Sequence, residues 1–76
     1  MEINKIIELI DNSRKLSGSG QDLDHHYERL FLLVDKSDYS NAFNECVDLM
    51  QSLYRNKDIE SYIYLNKVKE ILGAFN

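Results

Sequence analysis

Apolar residues recur along this chain at intervals of three and four positions, which is the spacing of an amphipathic α-helix. Four segments follow the pattern, over residues 2–16, 21–35, 38–55 and 58–74. The joints after the second and third segments are only a few residues long, and such short connections make neighbouring helices antiparallel. The sequence therefore predicts an all-α fold, a small antiparallel bundle of three to four helices that forms a single domain over residues 1–76.

The third segment shows the pattern most clearly because its side chains sort completely into two faces. Its apolar side chains occupy an unbroken arc of about 160°. This arc consists of Tyr39, Ala42, Phe43, Cys46, Val47, Leu49, Met50, Leu53 and Tyr54. We expect the arc to pack on neighbouring helices. The back of the helix carries what we call the acidic stripe: Asp38, Asn41, Glu45, Asp48 and Ser52.

Several apolar residues fall outside the packing stripes of their helices. Leu32 lies opposite the apolar side of the second segment, among charged residues. Ile59 and Ile63 lie opposite the main stripe of the last segment, with Tyr62 on one flank, so its first two turns are apolar nearly all round. A helix of this kind is either enclosed by its neighbours or presents a second contact surface. The sequence leaves both alternatives open for Ile59 and Ile63.

The charge of the chain limits the classes of partner. Nine Lys and Arg stand against thirteen Asp and Glu, which gives a net charge of -4. This balance disfavours nucleic acid and anionic membrane surfaces, and it favours a protein partner, a basic one where the acidic stripe takes part. The predicted partner-binding residues are Leu32, Asp38, Asn41, Glu45, Asp48, Ile59, Tyr62 and Ile63.

The chain carries no recognisable catalytic, metal or cofactor motif. Cys46 lies within the apolar arc, where a small thiol is expected to be buried and inert. Asp22 and His26 have the i, i+4 spacing of metal ligands, but zinc sites need three or four ligands. Gly18 and Gly20 match neither of the glycine-rich phosphate-binding patterns. We therefore expect no metal, no cofactor and no enzymatic activity.

The segment from Asp38 to Phe43 resembles the helix-turn-helix junction of tetratricopeptide repeats. Ala42 matches the small residue that the family has in its second helix. The resemblance covers residues 26–54. It departs from the family pattern at Leu30, Cys46 and Leu49, where the repeat has a glycine, an aromatic residue and an alanine. What the resemblance implies is a preference for a protein or peptide partner.

Neither an apolar run near 20 residues nor a signal-peptide pattern is present, so we expect a cytoplasmic protein. Frequent Ile, Asn, Lys and Tyr indicate an AT-rich phage or bacterial genome. The function expected from these observations is a small acidic intracellular interaction module: an inhibitor, immunity-type or regulatory protein that binds a larger partner through a helical face. The alternative is a homo-oligomeric structural subunit or a secretion-type co-chaperone.

Overall fold

The computed structural model describes residues 3–17 and 23–75, and these residues form four α-helices. The helices are α1 (Ile3–Ser17), α2 (Asp24–Asp35), α3 (Tyr39–Arg55) and α4 (Ile59–Gly73). The prediction of a small all-α bundle is confirmed. The observed helix ends lie within one residue of the predicted ends for α3 and α4 and at the C-terminal ends of α1 and α2. The predicted starts of the first two helices, at residues 2 and 21, and the joint at residues 18–22 lie outside the described residues.

The four helices close into a ring in which each packs on two neighbours. Helix α1 packs against α2 and α4, and α3 packs against the same two helices from the other side. Residues late in one helix contact residues early in the next, as Tyr54 and Tyr62 do, so neighbouring helices are antiparallel. The described residues fill an envelope of 31 × 18 × 18 Å. Helices α2 and α4 therefore stand at opposite corners of the bundle.

The joints that precede α3 and α4 share one backbone conformation. The Asp38 N–H donates to the Leu33 carbonyl at 2.9 Å, and the Asp58 N–H makes the equivalent bond in the next joint. The residue before each aspartate, Ser37 or Lys57, has a positive φ of 60° or 61°. This left-handed residue followed by a back-bonded N–H is the Schellman ending of an α-helix. Each aspartate then serves as the N-cap of the next helix.

The apolar stripes of all four helices meet in one core. The buried apolar side chains are Ile6, Leu9, Ile10, Leu23, Tyr27, Leu30, Val34, Ala42, Cys46, Leu49, Met50, Leu53, Leu65, Val68 and Leu72. Most of the apolar arc predicted for α3 contributes to the core, which is what its separation into two faces requires. Val47 and Tyr54 lie outside this core, and 65% of Tyr54 is exposed. The ring of Tyr54 still contacts Tyr62 of the neighbouring α4, so this edge of the arc packs on a neighbour while facing solvent.

Two buried serines join α1 to α4. The Ser13 hydroxyl donates to the Ser61 carbonyl at 2.9 Å, and the Ser61 hydroxyl donates to the Ser13 carbonyl at 3.0 Å. Because the Ser13 proton is used in this way, the Tyr27 hydroxyl, 2.8 Å away, donates to Ser13 Oγ. Burial raises the pKa of Tyr27, so its hydroxyl is a neutral donor at physiological pH. The network adds polar bonds between α1, α2 and α4 to the apolar core that they share.

Candidate functional site

The first two turns of α4 expose isoleucine while burying serine. Ser61 is fully buried against α1, whereas Ile59 and Ile63 are 47% and 50% exposed on the opposite side of the helix. The outward direction of Ile59 and Ile63 follows from the rest of α4, because Leu65, Val68 and Leu72 fill the core from the Ser61 side. The two isoleucines are therefore surface residues of this chain.

Side chains from α1 and α3 extend this exposed apolar surface on both sides. Leu16 at the end of α1 is 45% exposed and lines a groove with Ile63. Tyr54 at the end of α3 stacks obliquely on Tyr62, with ring centroids 5.9 Å apart. We call this surface the α4 patch, which consists of Leu16, Tyr54, Ile59, Tyr62 and Ile63. Leu16 and Tyr54 were not among the residues predicted to bind a partner.

Three shallow grooves cross the α4 patch. The groove between α3 and α4 has a volume of about 430 Å³, and that between α1 and α4 about 350 Å³. A third, of about 510 Å³, lies over the α3–α4 joint. The α3–α4 groove is lined by Val47, Met50, Gln51, Tyr54, Arg55 and Tyr62. This lining combines aromatic and aliphatic side chains, which is the kind of surface that binds apolar anchors of a partner.

The charged residues that line the three grooves are mainly basic. Arg55, Lys57 and Lys67 line them, and Glu60 is the one acidic residue among the described residues that do so. None of the ion pairs found within residues 3–17 and 23–75 includes any of the three basic side chains. Lys67 Nζ instead lies 5.7 Å from the centre of the Tyr64 ring. We call Arg55, Lys57 and Lys67 the basic rim.

The acidic stripe does not form a uniform charged surface. Asp38 caps α3, because its carboxylate accepts from the Asn41 backbone N–H at 3.4 Å and from Asn41 Nδ2 at 2.8 Å. The side chain of Glu45 is only 13% exposed, and its Oε1 lies 3.0 Å from His26 Nδ1. Asp48 and Asn41 are exposed and line a polar groove with Arg29. Two of the three predicted acidic contacts thus have partners within the chain.

Leu32 is 54% exposed, as its place among charged residues indicates. It lies on α2, at the corner of the bundle opposite α4. One flat contact surface cannot include Leu32 together with Ile59 and Ile63. The structure therefore brings together Ile59, Tyr62 and Ile63 of the predicted set and separates them from Leu32 and from the acidic stripe.

The side chains that could carry chemistry, Cys46 and the two histidines, all contact other groups of the chain. Cys46 is fully buried, burial raises its pKa to about 12, and its Sγ donates to the Leu65 carbonyl at 3.3 Å. The thiol is therefore protonated at neutral pH, and its expected burial is confirmed. His25 and His26 stack with ring centroids 4.1 Å apart. The described residues contain no group of three or more His, Cys, Asp or Glu placed to hold a metal ion, and Asp22 lies outside them.

Comparison of the chain with protein-family models, with curated proteins and with solved structures found no match. No family model supports the resemblance to tetratricopeptide repeats. Across residues 3–17 and 23–75, no helix combines the length and the apolar character needed to cross a membrane. The class that the structure defines is a small antiparallel four-helix bundle with an exposed apolar patch on one helix.

Proposed function

We propose that this chain is a small intracellular interaction module, an inhibitor, immunity-type or regulatory protein, that binds a larger protein through the α4 patch. The observation that carries the proposal is the orientation of the start of α4, with Ser61 inside and Ile59 and Ile63 outside. The core does not use these two isoleucines fully, so their exposed surface is available to a partner.

The exposed apolar area of the α4 patch contributes favourable free energy when a partner covers it. Complete burial of an isoleucine or leucine side chain contributes about 1.5–3 kcal/mol, so half of that area still contributes roughly 1 kcal/mol. Tyr54, at 65% exposure, adds a large aromatic surface with a hydroxyl at its edge. Aromatic side chains of this kind dominate the binding energy of many interfaces. The five residues of the patch together can offset part of the entropy lost on association.

A homo-oligomeric subunit, structural or of the secretion co-chaperone type, is the second candidate. The observation that favours it is the exposed Leu32 at the corner opposite α4. Two different apolar surfaces on one chain allow a head-to-tail contact, which builds rings or filaments. This candidate predicts that both surfaces contact another copy of the chain.

Site-specific photocrosslinking separates the two candidates. A photoreactive phenylalanine analogue is placed at Ile63 or, as the matched control, at Leu32, since both are about half exposed. The interaction module predicts an adduct with a heavier, different protein from position 63 and none from position 32. Adding Ile59→Ser to the chain labelled at position 63 should weaken that adduct. Adducts of two chain masses from both positions would instead support the homo-oligomer, and no adduct from position 63 would contradict both.

A further inference from the structure

The chemistry of the α4 patch limits the secondary structure of the segment that can bind it. The patch is lined by side chains, because the flanks of α3 and α4 use their backbone groups within their own helices. The N–H and C=O groups that an extended peptide turns towards this surface would be covered without backbone partners. A helix satisfies those groups internally and can place apolar side chains at i, i+3, i+4 and i+7 into a groove. The patch therefore fits a helix.

The charge around the patch limits the composition of that helix. The grooves collect three of the nine basic residues of the chain but only one of its thirteen acidic residues, within the part that the structure describes. The basic rim has no ion pair within that part of the chain. Asp58, which follows Lys57, is half-buried and lines none of the three grooves. The charge presented at the patch is therefore positive, although the whole chain is negative.

We propose that the α4 patch binds an amphipathic helix of the partner protein that carries acidic side chains beside its apolar anchors. One anchor enters the α3–α4 groove next to Tyr54 and Tyr62, and acidic residues on its flanks pair with Arg55, Lys57 and Lys67. A second copy of this chain is a poorer occupant, because a two-fold contact of patch with patch brings the basic rim of one copy towards that of the other. This inference rests on the proposed function and adds the chemistry of the partner.

Selection from a displayed library of helical peptides tests the proposal. The probes are peptides of about 18 residues, five helical turns, with apolar residues fixed on one face and Glu, Gln or Lys varied on its flanks. Selection uses the whole chain at about 0.15 M salt, with Ile63→Ser as the counter-selection target after its fold is checked by circular dichroism. We expect the surviving peptides to be enriched in Glu at the flanking positions.

Charge-reversal variants then locate the contact. The double variant Lys57→Glu/Lys67→Glu should weaken the best selected peptide by about tenfold or more, since it reverses two of the three rim charges. The matched control is Lys36→Glu, in the α2–α3 joint at the other end of α3, which should change the affinity by less than about twofold. NMR shift changes on binding should centre on Tyr54, Tyr62 and Ile63.

Three results would overturn the acidic helix: survivors enriched in Lys or Gln, survivors that bind Ile63→Ser equally well, or no survivors. Equal effects of Lys36→Glu and the double variant would overturn it as well. The crosslink from position 63 tests the proposed function by itself. The results that reject the acidic helix can therefore be told apart from failure of the proposed function. A crosslinked partner together with Lys-rich peptides would keep the interaction module and reject the acidic helix.

Discussion

The buried network of Ser13, Tyr27 and Ser61 makes a quantitative prediction about stability. Ser13→Ala removes the bond that Ser13 donates to the Ser61 carbonyl, which contributes about 1 kcal/mol. It also removes the Ser13 acceptor of the fully buried Tyr27 hydroxyl. Because the Ser17 hydroxyl also interacts with Tyr27, we expect a further cost of about 1 kcal/mol, the low end for a buried hydroxyl that loses a partner. Tyr27→Phe deletes that hydroxyl and leaves the Ser13 bond to Ser61 intact, so it should lower the free energy of unfolding by only about 1 kcal/mol.

The double variant Ser13→Ala/Tyr27→Phe should therefore cost less than the sum of its parts. It contains no tyrosine hydroxyl, so we expect about 2 kcal/mol instead of the sum of about 3 kcal/mol, which is a coupling of about 1 kcal/mol between the sites. Urea denaturation followed by circular dichroism measures the cycle, and each kcal/mol should lower Tm by about 4–8 °C in a domain of this size. Ser40→Ala, on the exposed side of α3, is the control with no expected change. Additive costs, or a Ser13→Ala variant as stable as Tyr27→Phe, would refute the assigned bond directions.

The remaining predictions concern the thiol and the joints. Because the unfolded Cys46 ionises near pH 9.0 and the buried thiol near pH 12, the unfolded state binds fewer protons between these values. Stability should fall with rising pH by up to about 1.4 kcal/mol per unit across that window, and Cys46→Ala should flatten the slope in urea titrations at several pH values. Ser37→Gly should stabilise by about 0.5–1 kcal/mol, because glycine adopts φ of 60° freely; a lower Tm would contradict this. Asp38→Ala should cost about 1 kcal/mol and Asp58→Ala less, since only Asp38 makes a side-chain cap bond; equal costs would contradict the difference.

The helices and most of the core could be predicted because periodicity alone decides them. In α3, Ala42, Cys46, Leu49 and Leu53 lie inside the apolar arc and are all fully buried. A strongly amphipathic helix has one inward orientation, so its burial pattern needs no knowledge of the neighbouring helices. Tyr54 lies towards the edge of the same arc, and its exposure depends on how far α4 covers that edge.

The serine pair could not be predicted because it depends on contacts between distant parts of the chain. Ser13 and Ser61 are polar residues that a hydrophobic pattern assigns to the surface, and each is satisfied by the other helix. Periodicity places Ile59 and Ile63 opposite the main stripe of α4, but whether another helix covers that side depends on how the bundle closes. In the bundle none of the described helices encloses them, and both remain about half exposed.

The candidate site differs from the sequence prediction in the charge that it presents. Net charge and the acidic stripe predicted a basic partner, yet Asp38 and Glu45 bond within the chain, and Asp48 lies on the α2 side of α3. At about 0.15 M salt the Debye length is about 8 Å, and Asp48 precedes Arg55 by seven residues of α3, about 10 Å along the helix axis, so its charge acts weakly on the basic rim. A partner seated there responds mainly to Arg55 and Lys57 at the groove edges. The basic contact predicted at Asp48 would therefore need a second surface of the partner, and Asp48→Lys should leave binding of an acidic helix at the patch nearly unchanged.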